Sequence, residues 1–157
     1  RFPLSSMVRL CCRSRQQALG YLAMPIEIGK LQEFAEKLAN DGEEVALRAS
    51  VSRSYYVTFH SLLPFVKTLP KSAKHREASS DVTHFEMQCR LEEWITDVNL
   101  TSAVSKAKRD QICRALNISR ALRVRADYHL NAAVTKTDAM QQIDRTRRLL
   151  EAVSQIG

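Results

Sequence analysis

Apolar residues recur at three- and four-residue steps along most of the chain, which is the spacing of one helix face. The first such segment is residues 26–39, where we expect a helix with a single apolar stripe. That stripe consists of Ile28, Leu31, Phe34, Ala35 and Leu38. Asn40-Asp41-Gly42 follows and predicts the end of this helix and the start of the next.

A second helix is predicted from about Glu43 toward Lys67. Its apolar line consists of Val51, Tyr55, Phe59 and Leu62. Pro64 is expected to kink or end the helix, because proline lacks a backbone donor. Residues 68–82 are polar and predict a loop.

Three more helices are predicted in the rest of the chain. The third covers about residues 83–97, with inward candidates at Phe85, Cys89, Trp94 and Ile95. The fourth covers about 102–130, with Asn99 or Thr101 as its cap. The fifth covers about 138–155, with Thr137 as its cap and a core stripe of Met140, Ile143, Leu150 and Val153. Short links between long amphipathic helices predict an all-α, up-and-down bundle of four to five helices.

The scarcity of helix-breaking residues supports this prediction. The 157 residues include four glycines and four prolines, too few for the turns of a many-stranded sheet. The length suits one domain with a single core. No run approaches the roughly 18 apolar residues that span a bilayer, so we expect no membrane segment.

The first 23 residues differ from the rest in charge. They contain four arginines and no acidic residue, and they end just before Met24-Pro25. Three explanations are open: a translated upstream or non-native extension, a transit-type peptide, or a basic arm. We expect residues 1–23 to be a poorly ordered basic leader or non-native extension, and residues 24–157 to form the helical bundle.

The cysteines predict a reducing, cytoplasmic setting. They show neither CxxC spacing nor pairing with nearby histidines, so no metal or other cofactor is expected; they are Cys11, Cys12, Cys89 and Cys113. Cys89 and Cys113 fall in predicted helices, where a reduced cysteine behaves as a small apolar residue. His75 and His84, in or beside the polar loop, are expected to be solvated.

Residues 1–23 carry +4 of the net charge of +7, and the basic residues of the remaining chain are concentrated on the predicted fourth helix. There, seven basic residues from Lys106 to Arg125 are offset only by Asp110 and Asp127, and the segment ends in Arg123-Val-Arg-Ala-Asp-Tyr-His129. Arginine can hold a phosphate through a planar fork of donors, and histidine exchanges protons near neutrality. The segment is therefore either a phosphate-binding stripe or a solvated helix face.

Helical geometry restricts which of these side chains can meet. Residues four apart lie within roughly 40° of each other, so Arg125 shares a face with His129. Arg123 likewise shares a face with Asp127. Arg123 and His129 converge if the helix ends near Tyr128 or if a second chain supplies one partner. The alternative is that Arg123 forms a helical ion pair, while His129 is favoured at a helix end by the macrodipole.

A second group of candidate residues lies on the second helix. Most aromatic residues at this spacing are expected to pack in the core. Arg53, Tyr56 and His60, however, share a more polar face. That face lines either the same cleft as the fourth helix or a partner surface.

Two segments together resemble the small bacterial HEPN proteins. They are Ser52-Arg53-Ser54-Tyr55-Tyr56-Val57-Thr58-Phe59-His60 and Arg123-Val-Arg-Ala-Asp127-Tyr128-His129-Leu130. The resemblance covers about Met24 to Ile156. It implies a helical bundle of a kind often encoded beside a minimal nucleotidyltransferase, as a toxin–antitoxin pair.

The resemblance also implies a function. Active members look like metal-independent endoribonucleases whose site forms across a two-fold dimer, and their signature is an arginine, four to six residues, and a histidine. Arg123 and His129 meet this signature. His129 would act as general base or acid on the ribose 2′-hydroxyl or the leaving oxygen, and Arg123 would stabilise charge on the phosphate. Supporting or substrate-binding roles would fall to Arg125, Asp127, Tyr128, Arg53 and His60.

Two functional classes are therefore open. The first is a toxin or defence ribonuclease, with an RNA substrate, a second copy of the chain and possibly a nucleotidyltransferase-type antitoxin as partners. The second is a catalytically inactive HEPN module that binds a nucleotidyltransferase or a nucleotide.

Overall fold

The computed structural model describes residues 26–74, 82–96 and 104–156, and this part of the chain forms five helices and no strand. The helices are α1 (Ile28–Asp41), α2 (Glu44–Thr68), α3 (His84–Thr96), α4 (Lys106–Tyr128) and α5 (Lys136–Ser154). The all-α prediction is confirmed. Within these residues, no helix has the length and apolar character needed to cross a membrane. The predictions for the leader 1–23, for His75, and for the caps Asn99 and Thr101 lie outside the described residues.

Helix α2 is the centre of the bundle and contacts each of the other four helices. Its predicted apolar line is confirmed, since the members are all buried: Val51, Tyr55, Phe59 and Leu62. The helix does not end at Pro64 but continues to Thr68. Proline removes one backbone hydrogen bond there. Leu62 and Val66 on either side of it are fully buried, and their packing against the rest of the core compensates for that loss and maintains the helix.

The core consists of two clusters at opposite ends of α2. The larger one joins residues of α2, α3, α4 and α5, with Trp94 and Leu116 among its most buried members. The smaller one lies near the start of α2 and includes Val51, Ala126 and Ile143. It therefore packs directly beneath the C-terminal end of α4, which holds the candidate residues.

Contacts along α2 give the direction of its neighbours. Arg48, near the start of α2, binds the carbonyl of Ala126 near the end of α4, so these helices are antiparallel. α3 runs in the same sense as α2, because His84 contacts Tyr55 and the later Trp94 contacts Phe65. The alternating directions of an up-and-down bundle therefore do not extend to α3.

Several large residues predicted to face the core are exposed. They are Ile28, Phe34, Phe85 and Met140. The buried positions of α1 are Ala35, which belongs to the predicted stripe, and Ala39, which does not, and the Ser50 hydroxyl of α2 donates to the carbonyl of Ala35 at 2.8 Å. Small side chains let α1 and α2 approach closely, so the contact face is offset from the stripe of large apolar residues.

Two helices begin at caps that differ from those predicted. Ser105 caps α4, where its hydroxyl accepts from the backbone N–H of Lys108. Thr135, not Thr137, caps α5: its side chain accepts from the N–H of Asp138, and the Asp138 carboxylate accepts from the N–H of Thr135 at 2.9 Å. Of the two threonines, Thr135 alone has an acidic residue three positions later, which is what a capping box requires.

Candidate functional site

The C-terminal end of α4 is held in place by Arg48 of α2. Its guanidinium donates to the carbonyl oxygens of Ala126 at 2.9 Å and Ala132 at 2.6 Å, with a longer contact to the carbonyl of His129 at 3.4 Å. Glu44 accepts from the same guanidinium at 2.8 Å. Carbonyls at a helix C-terminus lack partners within the helix, so Arg48 satisfies them and fixes the following turn. The role of Arg48 could not be predicted from the sequence, because nothing in the pattern pairs it with a segment so far along the chain.

α4 ends at Tyr128, and His129 is the residue that follows it. The backbone N–H of His129 donates to the carbonyl of Arg125 at 3.2 Å, and its side chain is exposed. In the described ranges, no hydrogen bond, ion pair or ring contact joins the imidazole of His129 to Arg123. The helix thus ends where expected, but a single chain does not bring the two signature side chains into contact.

Arg123 lies at the centre of a cluster of aromatic side chains. Its Cζ atom is 5.1 Å from the ring centre of Tyr128, 5.9 Å from that of Tyr56 and 6.0 Å from that of Tyr55. Each ring lies within the distance at which a guanidinium is attracted to an aromatic face. We call this group, together with three neighbouring residues, the Arg123 cluster. Its members are Arg123, Asp127, Tyr128, Tyr55, Tyr56, His60 and His84.

Asp127 provides the counter-charge of Arg123. Its Oδ2 lies 2.6 Å from Nε of Arg123, although the Nε–H is not aligned for a hydrogen bond, so the contact is an ion pair. The Ser52 hydroxyl donates to the same Oδ2 at 3.3 Å. Burial disfavours the charge on Arg123, but Asp127 and the phenols of Tyr56 and Tyr128 outweigh it and raise the pKa of Arg123. The guanidinium therefore remains a fixed cation.

His84, the first residue of α3, belongs to this cluster. Its Nδ1 lies 2.8 Å from the hydroxyl of Tyr55, and its ring centre is 4.4 Å from that of Phe59. The prediction of a solvated His84 is wrong, because the start of α3 packs against the aromatic face of α2. Burial raises the pKa of Tyr55 to about 12, and burial together with nearby cationic side chains lowers the pKa of His84.

The polar face predicted on α2 is brought beside α4 in part. The ring of Tyr56 stacks on that of His60 with centres 6.3 Å apart, and the Tyr56 hydroxyl lies 3.5 Å from Nη2 of Arg123. Arg53 is exposed, and in the described ranges it forms no hydrogen bond or ion pair with the cluster. Tyr56 and His60 are therefore placed with Arg123, whereas Arg53 is not.

Arg125 connects the last turn of α4 to the first turn of α5. Its Nη2 lies 2.6 Å from Oδ2 of Asp138. Partial burial disfavours the charged form of Asp138, but the hydrogen bonds from Thr135 and Arg125 and the charge of Arg125 outweigh this effect and lower the pKa of Asp138. Arg125 therefore has a structural partner within the chain, and any contact with a substrate has to compete with that ion pair.

A separate groove of about 580 Å³ lies between α4 and α5. Its lining includes Ile112, Ile118, Arg145 and Leu149, and it shares no residue with the Arg123 cluster. We place the candidate site at the cluster, because imidazole, phenol, carboxylate and guanidinium groups meet there. In the part of the chain that the structure describes, no group of three or more His, Cys, Asp or Glu side chains is arranged to hold a metal ion.

Comparisons of the chain with protein-family models, with curated proteins and with solved structures found no match. The resemblance to HEPN proteins therefore rests on the two sequence segments alone.

Proposed function

We propose that the protein is a HEPN-like, metal-independent endoribonuclease that acts as a homodimer, with Arg123 and His129 as its catalytic residues. The observation that carries this proposal is the position of Arg123. It is a fixed cation among phenols and imidazoles, beside the helix end where Arg48 holds the backbone of His129. Phosphodiester cleavage needs a cation at the phosphate and a proton-transfer group near it.

Arg123 is suited to stabilise charge on a phosphate. Asp127 engages the Nε edge of the guanidinium, so the terminal amino groups are the donors that remain for a ligand. Their contact with the Tyr56 hydroxyl, at 3.5 Å, is long and can be exchanged for a phosphate oxygen. A planar guanidinium can bind two phosphate oxygens at once, which fixes the phosphorus for attack.

His129 is the proposed proton-transfer residue. Its imidazole takes the proton of the ribose 2′-hydroxyl as the 2′-oxygen attacks phosphorus and the bond to the 5′-oxygen breaks. The 5′-oxygen receives a proton from water as it leaves, and the imidazolium returns its proton to the solvent. The products are a 2′,3′-cyclic phosphate and a free 5′-hydroxyl, and the proposed reaction uses no metal ion.

The separation of Arg123 and His129 within one chain explains why the proposal includes a dimer. A two-fold axis near the end of α4 would bring Arg123 of one copy toward His129 of the other. A two-fold interface repeats every contact, so the reciprocal pair forms as well. The exposed side chains of Tyr128 and His129 lie on the surface that such an axis would bury.

Cleavage of labelled single-stranded RNA in excess EDTA tests the proposal. Wild type should produce 2′,3′-cyclic phosphate ends, and His129→Ala and Arg123→Ala should each lower the rate about 100-fold or more. Arg123→Lys should restore little, because a point charge does not replace the planar fork. Arg148→Ala is the matched control, because Arg148 is exposed on α5 and paired with Asp144. Full activity of His129→Ala would exclude the proposed chemistry.

One observation favours the alternative, an inactive module that binds a nucleotidyltransferase or a nucleotide. Arg123 is already neutralised by Asp127, and the imidazole of His129 does not contact it within the described chain. This alternative predicts that wild type leaves RNA intact while it binds a nucleotidyltransferase or ATP in calorimetry. Cleavage by wild type with loss in both variants would exclude it.

A further inference from the structure

Arg123 and His84 approach the same pair of tyrosines from α4 and α3. The ring centre of His84 lies 5.3 Å from that of Tyr55 and 6.1 Å from that of Tyr56. The Cζ atom of Arg123 lies about as far from both rings, at 6.0 Å and 5.9 Å. A cation and an imidazole are thereby fixed around one aromatic platform.

Arg120 adds a second cation to the same place. It precedes Arg123 by three residues on α4, so their side chains are neighbours on one helix face. Its Nη1 donates to Oε1 of Gln88 at 3.0 Å, and Gln88 lies one turn after His84 on α3. Arg120 is therefore drawn toward the start of α3 and is held there by an uncharged amide, which leaves its positive charge available to an anion.

The hydrogen bond to Tyr55 determines which nitrogen of His84 carries a hydrogen. The Tyr55 hydroxyl is buried and, with a pKa raised to about 12, keeps its hydrogen throughout the neutral range. In the described ranges, its one hydrogen bond is to Nδ1 of His84. A buried hydroxyl that has a single acceptor donates to it, so Nδ1 accepts. Neutral His84 then carries its hydrogen on Nε2, which becomes a donor for a ligand.

We propose that Arg120, Arg123 and His84 form a binding site for one phosphate group, to which neutral His84 donates from Nε2. The two guanidinium groups supply the charge, and the imidazole supplies a directed donor. The site rests on the proposed function only in one respect, namely that the phosphate belongs to an RNA chain. This phosphate is the one that Arg123 holds in the proposed reaction, and His84 is a substrate-binding residue that orients it.

The cationic and imidazole groups near His84 favour its neutral form; they are Arg123 and Arg120 from α4 and His60 from α2. The phenols of Tyr55 and Tyr56 also face its ring. Burial acts in the same direction and is the largest cause of its lowered pKa. Well above its ordinary pKa, between about pH 7.5 and 9, His84 is neutral and keeps its hydrogen, so its contribution to binding should stay constant over this range.

Nuclear magnetic resonance of the full chain with ¹⁵N-labelled histidine tests this site. The two ring nitrogens give different ¹⁵N shifts when protonated, so the spectrum reports the tautomer directly. We expect the Nε2–H form of His84 at pH 7 and pH 8. Titration with inorganic phosphate, and separately with a 2′-O-methyl oligoribonucleotide that cannot be cleaved, should shift the His84 signals to saturation.

Two pairs of variants locate the donors. Arg120→Gln should weaken oligonucleotide binding about tenfold, which is the effect of losing one charged hydrogen bond, whereas the exposed control Arg148→Gln should leave it unchanged. His84→Gln should retain most of the affinity, because its amide places a donor near the position of Nε2. His84→Ala should lose affinity about as much as Arg120→Gln.

The results also separate this site from the ribonuclease proposal. An Nδ1–H tautomer, or His84 signals that stay unmoved at saturating oligonucleotide, would overturn the phosphate site even if wild type cleaves RNA. Saturating shifts of His84 with both ligands would support the site even if wild type cleaves nothing. A shift with the oligonucleotide but not with inorganic phosphate would show that His84 contacts a base or sugar, and would also overturn the site.

Discussion

Oδ2 of Asp127 lies 2.6 Å from Nε of Arg123, one helical turn earlier on α4. This ion pair is partly buried and receives a further hydrogen bond from Ser52 of α2. It therefore orients the guanidinium against the tyrosines of the Arg123 cluster. In the proposed reaction Asp127 would act through Arg123, as a positioning residue.

Asp127→Asn should slow RNA cleavage less than Arg123→Ala does. The variant keeps the guanidinium charge but loses the carboxylate that fixes its orientation, so we expect a loss of about tenfold, mainly in kcat. Stability should change by about 1 kcal/mol or less, because a helical ion pair at this spacing that water still reaches contributes little. Single-turnover kinetics and urea unfolding measure the two effects. A loss as large as that of Arg123→Ala would mean that Asp127 takes part in the chemistry itself.

Arg48→Ala should destabilise the fold by about 3 kcal/mol. The variant removes hydrogen bonds from a charged donor to the carbonyls of Ala126 and Ala132, and such bonds contribute about 1.5 to 3 kcal/mol each without adding fully. Urea unfolding of Arg48→Ala is compared with that of Arg147→Ala, which breaks an exposed ion pair with Glu36 and should cost less than about 1 kcal/mol. Equal losses in the two variants would show that Arg48 does not hold the helix end.

The stability of the protein should contain a pH-dependent contribution from His84. Folding lowers the pKa of His84 from its ordinary value of about 6.5, so below that pH the unfolded chain binds more protons than the folded one. This contribution to the free energy of unfolding is fully present above about pH 6.5 and is lost as the pH falls through the lowered pKa. The difference between wild type and His84→Gln, measured by urea unfolding from pH 8 to pH 5, should shrink on acidification. A constant or growing difference would contradict the assignment.

The five helices could be predicted from the sequence because each has an apolar face with 3.6-residue periodicity. The contact face of α1 could be predicted only in part, since Ala35 of the expected stripe is buried and accepts from Ser50 of α2, whereas the larger Ile28 and Phe34 are exposed. The cap of α5 could be found by testing both threonines for a capping box, and only Thr135 passes.

The candidate site was predicted where its residues lie on one helix face. Arg123 and Asp127 are four residues apart, and their ion pair follows from that spacing. The place of His84 could not be predicted, because its contact with Tyr55 spans 29 residues and depends on where α3 packs on α2. The same holds for Arg48, whose carbonyl partners lie about eighty residues later in the chain.

Cleavage by a mixture of two inactive variants tests the central claim, that Arg123 of one copy works with His129 of the other. Arg123→Ala and His129→Ala are unfolded together, refolded as a mixture and assayed on single-stranded RNA in excess EDTA. About half of the refolded dimers are mixed, and each contains one intact pair where wild type has two, so we expect activity to return to about a quarter of wild type at most. If wild type cleaves RNA and the mixture stays as inactive as each variant alone, the shared site is contradicted. If wild type itself leaves RNA intact, the ribonuclease proposal is contradicted.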